Sequence, residues 1–223
     1  MRIRWYGQSA FLLAGAEHRV FIDPFGDMSG AAARGLRFDY PPIEGVEADV
    51  LLVTHEHRDH NAVEAVGGEP LLIRSPGTHD SPLGDVVGIA SEHDGVAGTQ
   101  RGANTIFVFS LDSLRVAHLG DFGQPALRPE QRAAIGEIDL LIVPVGGGPT
   151  LDGPGAAAVA RELSPRLVVP MHYRTEAVSF LDPPDAFLEA YGARVERPAE
   201  READVEPLLG TREDPVLALL AAP

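Results

Sequence analysis

The sequence contains no cysteine. This absence excludes disulfide bonds, iron–sulfur clusters and thiolate zinc sites, so any metal ion must be bound through nitrogen and oxygen atoms. No apolar run approaches the length of a membrane span, and residues 1–6 lack the apolar segment of a signal peptide. We therefore expect a soluble cytoplasmic protein that makes no membrane contact.

Acidic side chains strongly outnumber basic ones. The chain has 33 Asp and Glu against 18 Lys and Arg, a formal net charge of −15. Such a surface repels phosphate backbones and argues against a nucleic-acid partner, although divalent ions would offset several negative charges locally. With 223 residues, 44% of them apolar, the chain can bury one sizeable core, and we assign residues 1–223 to a single α/β domain.

Segment 54–61, Thr-His-Glu-His-Arg-Asp-His-Asn, is the strongest signal in the sequence. It follows an apolar run, 49–53, that predicts a buried strand, and it precedes a predicted short helix, 61–66. Four potential metal ligands fall within it: His55, His57, Asp59 and His60. The spacing of His55 and His57 places both on one side of an extended segment, where they can share one ion. The later pair lies beyond the turn and suits a second ion; the alternative is a solvated polar loop.

Three further candidate ligands directly follow predicted strands: His93, Asp121 and His172. The carboxyl ends of strands are where α/β sheets usually build their binding sites. Asp23 also ends a predicted strand, where its carboxylate could orient a ligating histidine, and Asp23-Pro24 is equally typical of a simple turn. His118 either supports the site or packs in the core.

Hydrophobic patterning predicts strands along the whole chain and helices mainly in its second half. Strands are expected at 2–5, 10–13, 19–22, 71–73, 86–90, 105–110, 114–117, 139–143 and 167–170. Helices are expected at 129–135, 152–163 and 182–191. Residues 193–223 should contain one or two edge strands, such as 216–220. Residues 25–48 show no periodicity and form a long loop, which is either a lid over the site or a spacer.

The order of the candidate ligands resembles that of the metallo-β-lactamase superfamily, whose mark is an HxHxDH run followed by a distant His, Asp and His. Every ligand position is filled here: His55, His57, Asp59, His60, His93, Asp121 and His172. Segments 5–11, 21–24 and 170–173 are similar to the branch that contains L-ascorbate-6-phosphate lactonase and related metal-dependent hydrolases. One departure is Gln8, where relatives often carry histidine.

The resemblance implies an αββα metallo-β-lactamase-type sandwich with two divalent metal ions at one edge. It assigns His55, His57 and His93 to one ion, Asp59, His60 and His172 to the other, and Asp121 to both. Zinc is the first expectation and manganese the second, since the diiron oxidoreductases of the superfamily carry Glu where this chain has His57. A bridging water would be deprotonated near neutral pH, and Asp59 would be the catalytic residue that orients it.

These expectations combine into a dinuclear hydrolase of a small anionic molecule: an ester, a lactone or a phosphorylated compound. Four residues near the predicted ligands are candidate substrate contacts: Arg101, Asn104, Tyr173 and Arg174. Arginine suits this role because its guanidinium binds carboxylate or phosphate in bidentate fashion. Two alternatives stay open: a nuclease or phosphodiesterase of the same superfamily, and a non-catalytic metal-binding sensor. A homo-oligomer is also possible.

Overall fold

Sixteen short strands and three α-helices form the protein, in a computed structural model that describes residues 1–223. In chain order the strands are β1 Arg2–Gly7, β2 Ala10–Ala14, β3 Arg19–Ile22, β4 Val46–Glu47, β5 Val50–Leu52, β6 Val66–Gly67, β7 Leu71–Ile73, β8 Gly77–His79, β9 Val86–Glu92, β10 Ala103–Leu111, β11 Leu114–His118, β12 Leu140–Pro144, β13 Leu167–Met171, β14 Arg194–Glu196, β15 Glu202–Asp204 and β16 Val216–Ala218. The α-helices are α1 Pro129–Ile135, α2 Gly153–Leu163 and α3 Asp185–Tyr191. None of them has the length and apolar character needed to cross a bilayer.

Two large mixed sheets contain most of the strands. The six-stranded sheet has the order β15-β1-β2-β3-β5-β7, and the eight-stranded sheet has the order β14-β16-β13-β12-β11-β10-β9-β8. Strands β3, β5 and β7 run parallel, as do β11, β12 and β13. Parallel neighbours end at the same edge of a sheet, so each sheet gathers several strand ends in one place.

Strand alternation builds the core between the sheets. Side chains such as Trp5, Ile22 and Leu52 face inward and join the main core, which also contains residues of the eight-stranded sheet. Their neighbours Phe21 and Leu51 point the other way, into a second apolar cluster on the outer face of the six-stranded sheet. This two-residue period is the one that the sequence shows.

The two outer faces are covered differently. Helices α1 and α2 pack on the eight-stranded sheet, and α3 packs on α2. Helix α2 starts as predicted, with Oδ1 of Asp152 accepting a hydrogen bond from the Gly155 amide at 2.8 Å. The outer face of the six-stranded sheet is covered by the irregular segment 25–48, which contributes Tyr40 and Ile43. The predicted α/β sandwich is confirmed, but only one of its outer layers is α-helical.

Three local predictions were wrong. The helix expected at 61–66 is a 3-10 turn, Val63–Ala65, followed by β6, because the segment is short and β-branched before Gly67-Gly68. The last helix begins at Asp185 rather than at 182, since residues before proline avoid the α conformation and prolines occupy 183–184. Residues 193–223 do contain two edge strands, β14 and β15, but the strand named as the example, β16, is not one of them, because it lies between β13 and β14.

Candidate metal centre

The candidate ligands come from both sheets and meet at one edge of the sandwich. The HxHxDH segment, 55–60, follows β5 of the six-stranded sheet. The other three ligands follow strands of the eight-stranded sheet: His93 follows β9, Asp121 follows β11 and His172 follows β13. Residues far apart in the sequence are therefore brought together because their strands end at the same place.

All seven predicted metal-ligand residues form one cluster. His55, His57 and His93 each place a ring nitrogen within 4.8 Å of the others. Ligand atoms of Asp59, His60 and His172 form a second group with the same spacing. Oδ2 of Asp121 lies between the groups, at 3.0 Å from Nε2 of His93, 3.2 Å from His172, 3.3 Å from His60 and 3.9 Å from His55. The geometry reproduces the grouping that the resemblance implied.

Two ring nitrogens in this cluster suit a cation. Nε2 of His55 and Nε2 of His60 are buried and have no hydrogen-bond partner. A buried polar atom without a partner costs about 1–3 kcal/mol, so two such atoms facing one carboxylate fit a cation-binding site better than ordinary packing. Imidazole nitrogen and carboxylate oxygen are donors that zinc accepts readily. The residues present therefore fit a divalent metal ion.

The electrostatics of the cluster favour added positive charge. Burial acts to raise the pKa of the Asp121 carboxyl, but His172 and His60 outweigh it and hold that pKa well below its ordinary value. Burial acts to lower the pKa of His60, but Asp121, Asp59 and Asp23 hold it well above its ordinary value. The buried carboxylate of Asp121 is thus stabilised by positive charge close to it. Metal ions bound by the surrounding histidines would supply such charge.

Asp23 orients two of the histidines. Its Oδ2 accepts from Nδ1–H of His60 at 2.9 Å, which confirms the predicted orienting role. The same oxygen accepts from the hydroxyl of Thr54 at 2.7 Å, and Oγ1 of Thr54 lies 3.0 Å from Nδ1 of His55. Nδ1 of both rings is thereby engaged, which leaves both Nε2 atoms facing the cluster.

The turn between β1 and β2 supports the two carboxylates. Nε2 of Gln8 donates to Oδ2 of Asp59 at 3.0 Å, and the hydroxyl of Ser9 donates to Oδ1 of Asp121 at 3.2 Å. The Asp59 side chain is 21% exposed, against 3% for Asp121. Asp59 is thus the site carboxylate that solvent or a substrate can reach. The sequence marked Gln8 only as a departure, and it gave no sign of the role of Ser9.

Two of the predicted substrate contacts lie inside the protein, which corrects their assigned role. Asn104 is buried: its Nδ2 donates to Ser91 and to the Leu119 carbonyl, and its Oδ1 accepts from the Asp121 amide at 3.0 Å. No amide group is left for a substrate, so Asn104 positions Asp121. Tyr173 is buried in the main core with its ring 5.1 Å from that of Trp5, and burial raises its pKa.

The two predicted arginines differ in their surroundings. Nε of Arg174 donates to the Leu181 carbonyl at 2.6 Å, and Nη2 lies 3.9 Å from Asp182, so its guanidinium is already engaged. Arg101 is exposed, and its backbone amide donates to Asp94 at 2.8 Å. Neither contact reaches the ligand cluster.

Two arginines that the sequence analysis overlooked lie beside the motif. Arg58 belongs to the HxHxDH turn and Arg34 to the segment 25–48, and both line a depression of about 250 Å³. Both side chains are exposed and form no direct ion pair, and Asp27 is the one acidic residue that lines the depression with them. The position of Arg58 between His57 and Asp59 was the signal that could have identified it.

Comparisons with known proteins agree with this geometry. A family model described as beta-lactamase superfamily domain matches residues 2–172. A UPF0173 metal-dependent hydrolase from Thermococcus kodakarensis is 31% identical over 88% of this chain and 94% of its own length. Another from Thermococcus onnurineus is 32% identical over the same shares.

Solved structures give the same result. A structure from Thermotoga maritima, described as a candidate zinc-dependent hydrolase of the metallo-beta-lactamase superfamily, is 31% identical, covers 98% of both chains and superimposes with a TM-score of 0.78. An isothiocyanate hydrolase from Delia radicum gut bacteria shares the fold at 16% identity, with a TM-score of 0.64 over 86% of this chain and 93% of its own. The chain therefore belongs to the UPF0173 metal-dependent hydrolases of the metallo-β-lactamase superfamily, the superfamily that its motif predicts.

Proposed function

We propose that this metal-dependent hydrolase binds two metal ions and acts on a small anionic molecule. The observation that carries the proposal is the position of Asp121. Its Oδ2 lies 3.0 Å from Nε2 of His93, in one ligand group, and 3.2 Å from Nε2 of His172, in the other. A carboxylate shared in this way suits a ligand that serves two cations.

Zinc is the metal we propose first, and manganese second. The nitrogen and oxygen donors suit both, and the name of the 31% identical Thermotoga maritima protein specifies zinc. Two bound divalent ions would supply a deprotonated water near neutral pH and would polarise the scissile carbonyl or phosphoryl group.

Asp59 is the residue we propose to move the proton. Its carboxylate is partly exposed, and Nε2 of Gln8 fixes Oδ2 by a 3.0 Å hydrogen bond. Because Oδ2 is engaged, Oδ1 is the atom that would orient the attacking hydroxide and, after the attack, transfer the remaining proton of that hydroxide to the leaving group. Asp121 is held by other residues: its backbone amide donates to Asn104, and its Oδ1 accepts from Ser9. The carboxylates of Asp59 and Asp121 are therefore oriented independently.

The substrate class follows from the two exposed arginines beside the motif. Arg58 and Arg34 present guanidinium groups on one depression, where they outnumber its one acidic residue, Asp27, and such groups bind carboxylate or phosphate. An anionic ester, lactone or phosphorylated compound could bind to these arginines. The net charge of −15 supports a small molecule over nucleic acid.

The first test is metal content by elemental analysis, after purification without chelator, for the wild type and Asp121→Ala. We expect close to two ions per wild-type chain and a clear fall in the variant, with Asp204→Ala, on the exposed edge strand β15, as the control. One ion per chain in the wild type would contradict the dinuclear site. No bound metal, even after loading with zinc or manganese, would contradict a metal centre altogether.

The second test concerns the substrate. After a panel of esters, lactones and phosphorylated compounds has identified an anionic substrate, Arg58→Gln should raise its KM and leave kcat nearly unchanged. Arg174→Gln is the matched comparison, because its guanidinium already has partners. Equal effects of the two substitutions on KM would contradict the role of Arg58.

A further inference from the structure

A second cavity lies on the outer face of the six-stranded sheet, on the side away from the main core. Arg2, Arg4 and Tyr6 alternate along β1 and line it, and Arg19 of β3 closes the far side. In the register of the sheet, Arg2 pairs with Ala14, and Ala14 pairs with Arg19. Neighbouring strands are about 4.8 Å apart, so the two arginine backbones are about 10 Å apart with only a methyl group between them. This gap forms a cavity of about 250 Å³.

Three arginines and two glutamates line the cavity, so its lining carries one net positive charge. Glu202 pairs with Arg2, which also lies 3.6 Å from Asp204, and the contact of Glu202 with Arg4 is long, at 3.8 Å. Glu47, the other glutamate of the lining, pairs with no arginine. Arg19 forms no ion pair, and neither does Arg201, whose guanidinium lies 5.8 Å from the Tyr6 ring centroid. The cavity is therefore net positive on a chain whose formal net charge is −15.

One hydrogen-bond donor beside the cavity is buried and lacks a partner, and it belongs to Arg4. Tyr6 also lines the cavity and is only 5% exposed. The guanidinium of Arg4 lies 4.8 Å over the Tyr6 ring, and its buried Nε–H has no acceptor. A buried donor without an acceptor is costly, so the Nε–H of Arg4 indicates a ligand that accepts hydrogen bonds.

We propose that this cavity, the β1–β3 pocket, binds a small dianion of the phosphate class at a site separate from the metal centre. Its volume is below that of pockets for drug-sized molecules, which argues against a whole nucleotide. A phosphate group offers three acceptor oxygens, which match the donors of Arg4, Arg19 and Tyr6. Its negative charge complements Arg4, whose contact with Glu202 is long, and Arg19, which forms no ion pair.

The test is calorimetric titration of the metal-loaded protein with inorganic phosphate at constant ionic strength. We expect saturable binding that Arg19→Gln weakens about tenfold or more, since a hydrogen bond to a charged group is lost. Tyr6→Phe keeps the ring beside Phe21, 5.2 Å away, and should weaken binding about threefold. Arg194→Gln, on the exposed edge strand β14, is the matched control and should have no effect.

Phosphate could also bind at the metal centre, and Asp121→Ala separates the two sites. Binding that persists in Asp121→Ala and is lost in Arg19→Gln supports the β1–β3 pocket. Binding that is lost in Asp121→Ala but unchanged in Arg19→Gln places phosphate at the metal centre and overturns the proposal. Absence of saturable binding at millimolar phosphate overturns it as well.

Discussion

Oδ2 of Asp23 lies 2.9 Å from Nδ1 of His60, deep below the metal centre. The same oxygen reaches His55 through the hydroxyl of Thr54. One buried carboxylate therefore orients a histidine from each of the two ligand groups. Asp23 adopts a φ of 51°, which is costly for a residue with a side chain, so the surrounding turn must hold it in this conformation.

Asp23→Asn should weaken metal binding while preserving the fold. The amide nearly matches the carboxylate in shape, but it loses the negative charge that His60 and Thr54 share. Removing such an orienting group typically costs 10–100-fold in metal affinity, and we expect about that loss, measured by competition with a chromophoric chelator. Asp204→Asn, a change of the same type at an exposed position, is the control. Unchanged affinity in Asp23→Asn would show that the histidines are held by packing alone.

Gln8→Ala should lower kcat more than it lowers metal content. Gln8 is fully buried, and its Nε2 fixes Oδ2 of Asp59 at 3.0 Å. Without that bond the carboxylate can rotate, and misorientation of a proton-transfer group costs about 10²-fold or more in rate. Steady-state kinetics and elemental analysis on the same preparation separate the two effects. Gln100→Ala, at an exposed position, is the control; parallel losses of metal and kcat would instead make Gln8 a metal-site support.

His118 gives the stability of the protein a pH dependence with a defined sign. Its Nδ1 accepts from the Gly120 amide and its Nε2–H donates to the Ser9 carbonyl, both at 3.1 Å, so the ring is neutral. Burial lowers its pKa below the ordinary value of 6.5. A group whose pKa is lowered in the folded state stabilises that state fully above its unfolded pKa. This contribution is lost as the pH falls below 6.5 towards the folded value.

His118→Gln should therefore reduce stability most above pH 6.5. Glutamine can keep one of the two hydrogen bonds but does not titrate. The difference in unfolding free energy between wild type and variant should shrink by about 1.4 kcal/mol per pH unit below 6.5. Urea unfolding from pH 8 to pH 5, with chelator present so that metal release does not contribute, measures it. A constant difference over this range would mean that His118 takes up its proton in the folded protein as well.

The ligands could be predicted from the sequence because each is marked locally. Every one follows an apolar run that forms a strand, and strand ends meet at one edge of the sandwich. The supporting residues have no such mark. Ser9 donates to Asp121 across 112 positions of sequence, and His93 is oriented by the backbone carbonyl of Pro149. A carbonyl is common to every residue, so only the three-dimensional structure identifies the one that matters.

Side-chain direction explains the errors about substrate contacts. Asn104 lies close to His93 in sequence, but it belongs to β10, and its amide turns inward to Asp121 and Leu119. The two-residue period of a strand divides its side chains into two faces, but it does not say which of these faces points towards a substrate. The role of segment 25–48 was equally hidden, because its apolar side chains have no regular period.

Gly120→Ala should destabilise the protein and disturb the metal centre together. Gly120 has a φ of +57°, and a Cβ there would overlap Oδ1 of Asn104 and lie 2.7 Å from Cβ of Thr54. Gly35 also has a positive φ, +71°, but a Cβ there would meet nothing within 4 Å. Gly35→Ala should therefore cost only the backbone strain, about 1–2 kcal/mol. Gly120→Ala should cost about 1–3 kcal/mol more through overpacking.

Metal content separates the two glycine variants further. Asn104 holds the Asp121 amide and Thr54 holds His55, so moving either one displaces a ligand. We expect Gly120→Ala to bind fewer ions per chain at saturating zinc, with Gly35→Ala unchanged, as measured by elemental analysis beside urea unfolding. If Gly120→Ala and Gly35→Ala lost the same stability and bound the same amount of metal, the loop of Gly120 could shift without displacing Asp121. The precise fit between this glycine and the side chains beneath it would then have no part in building the site.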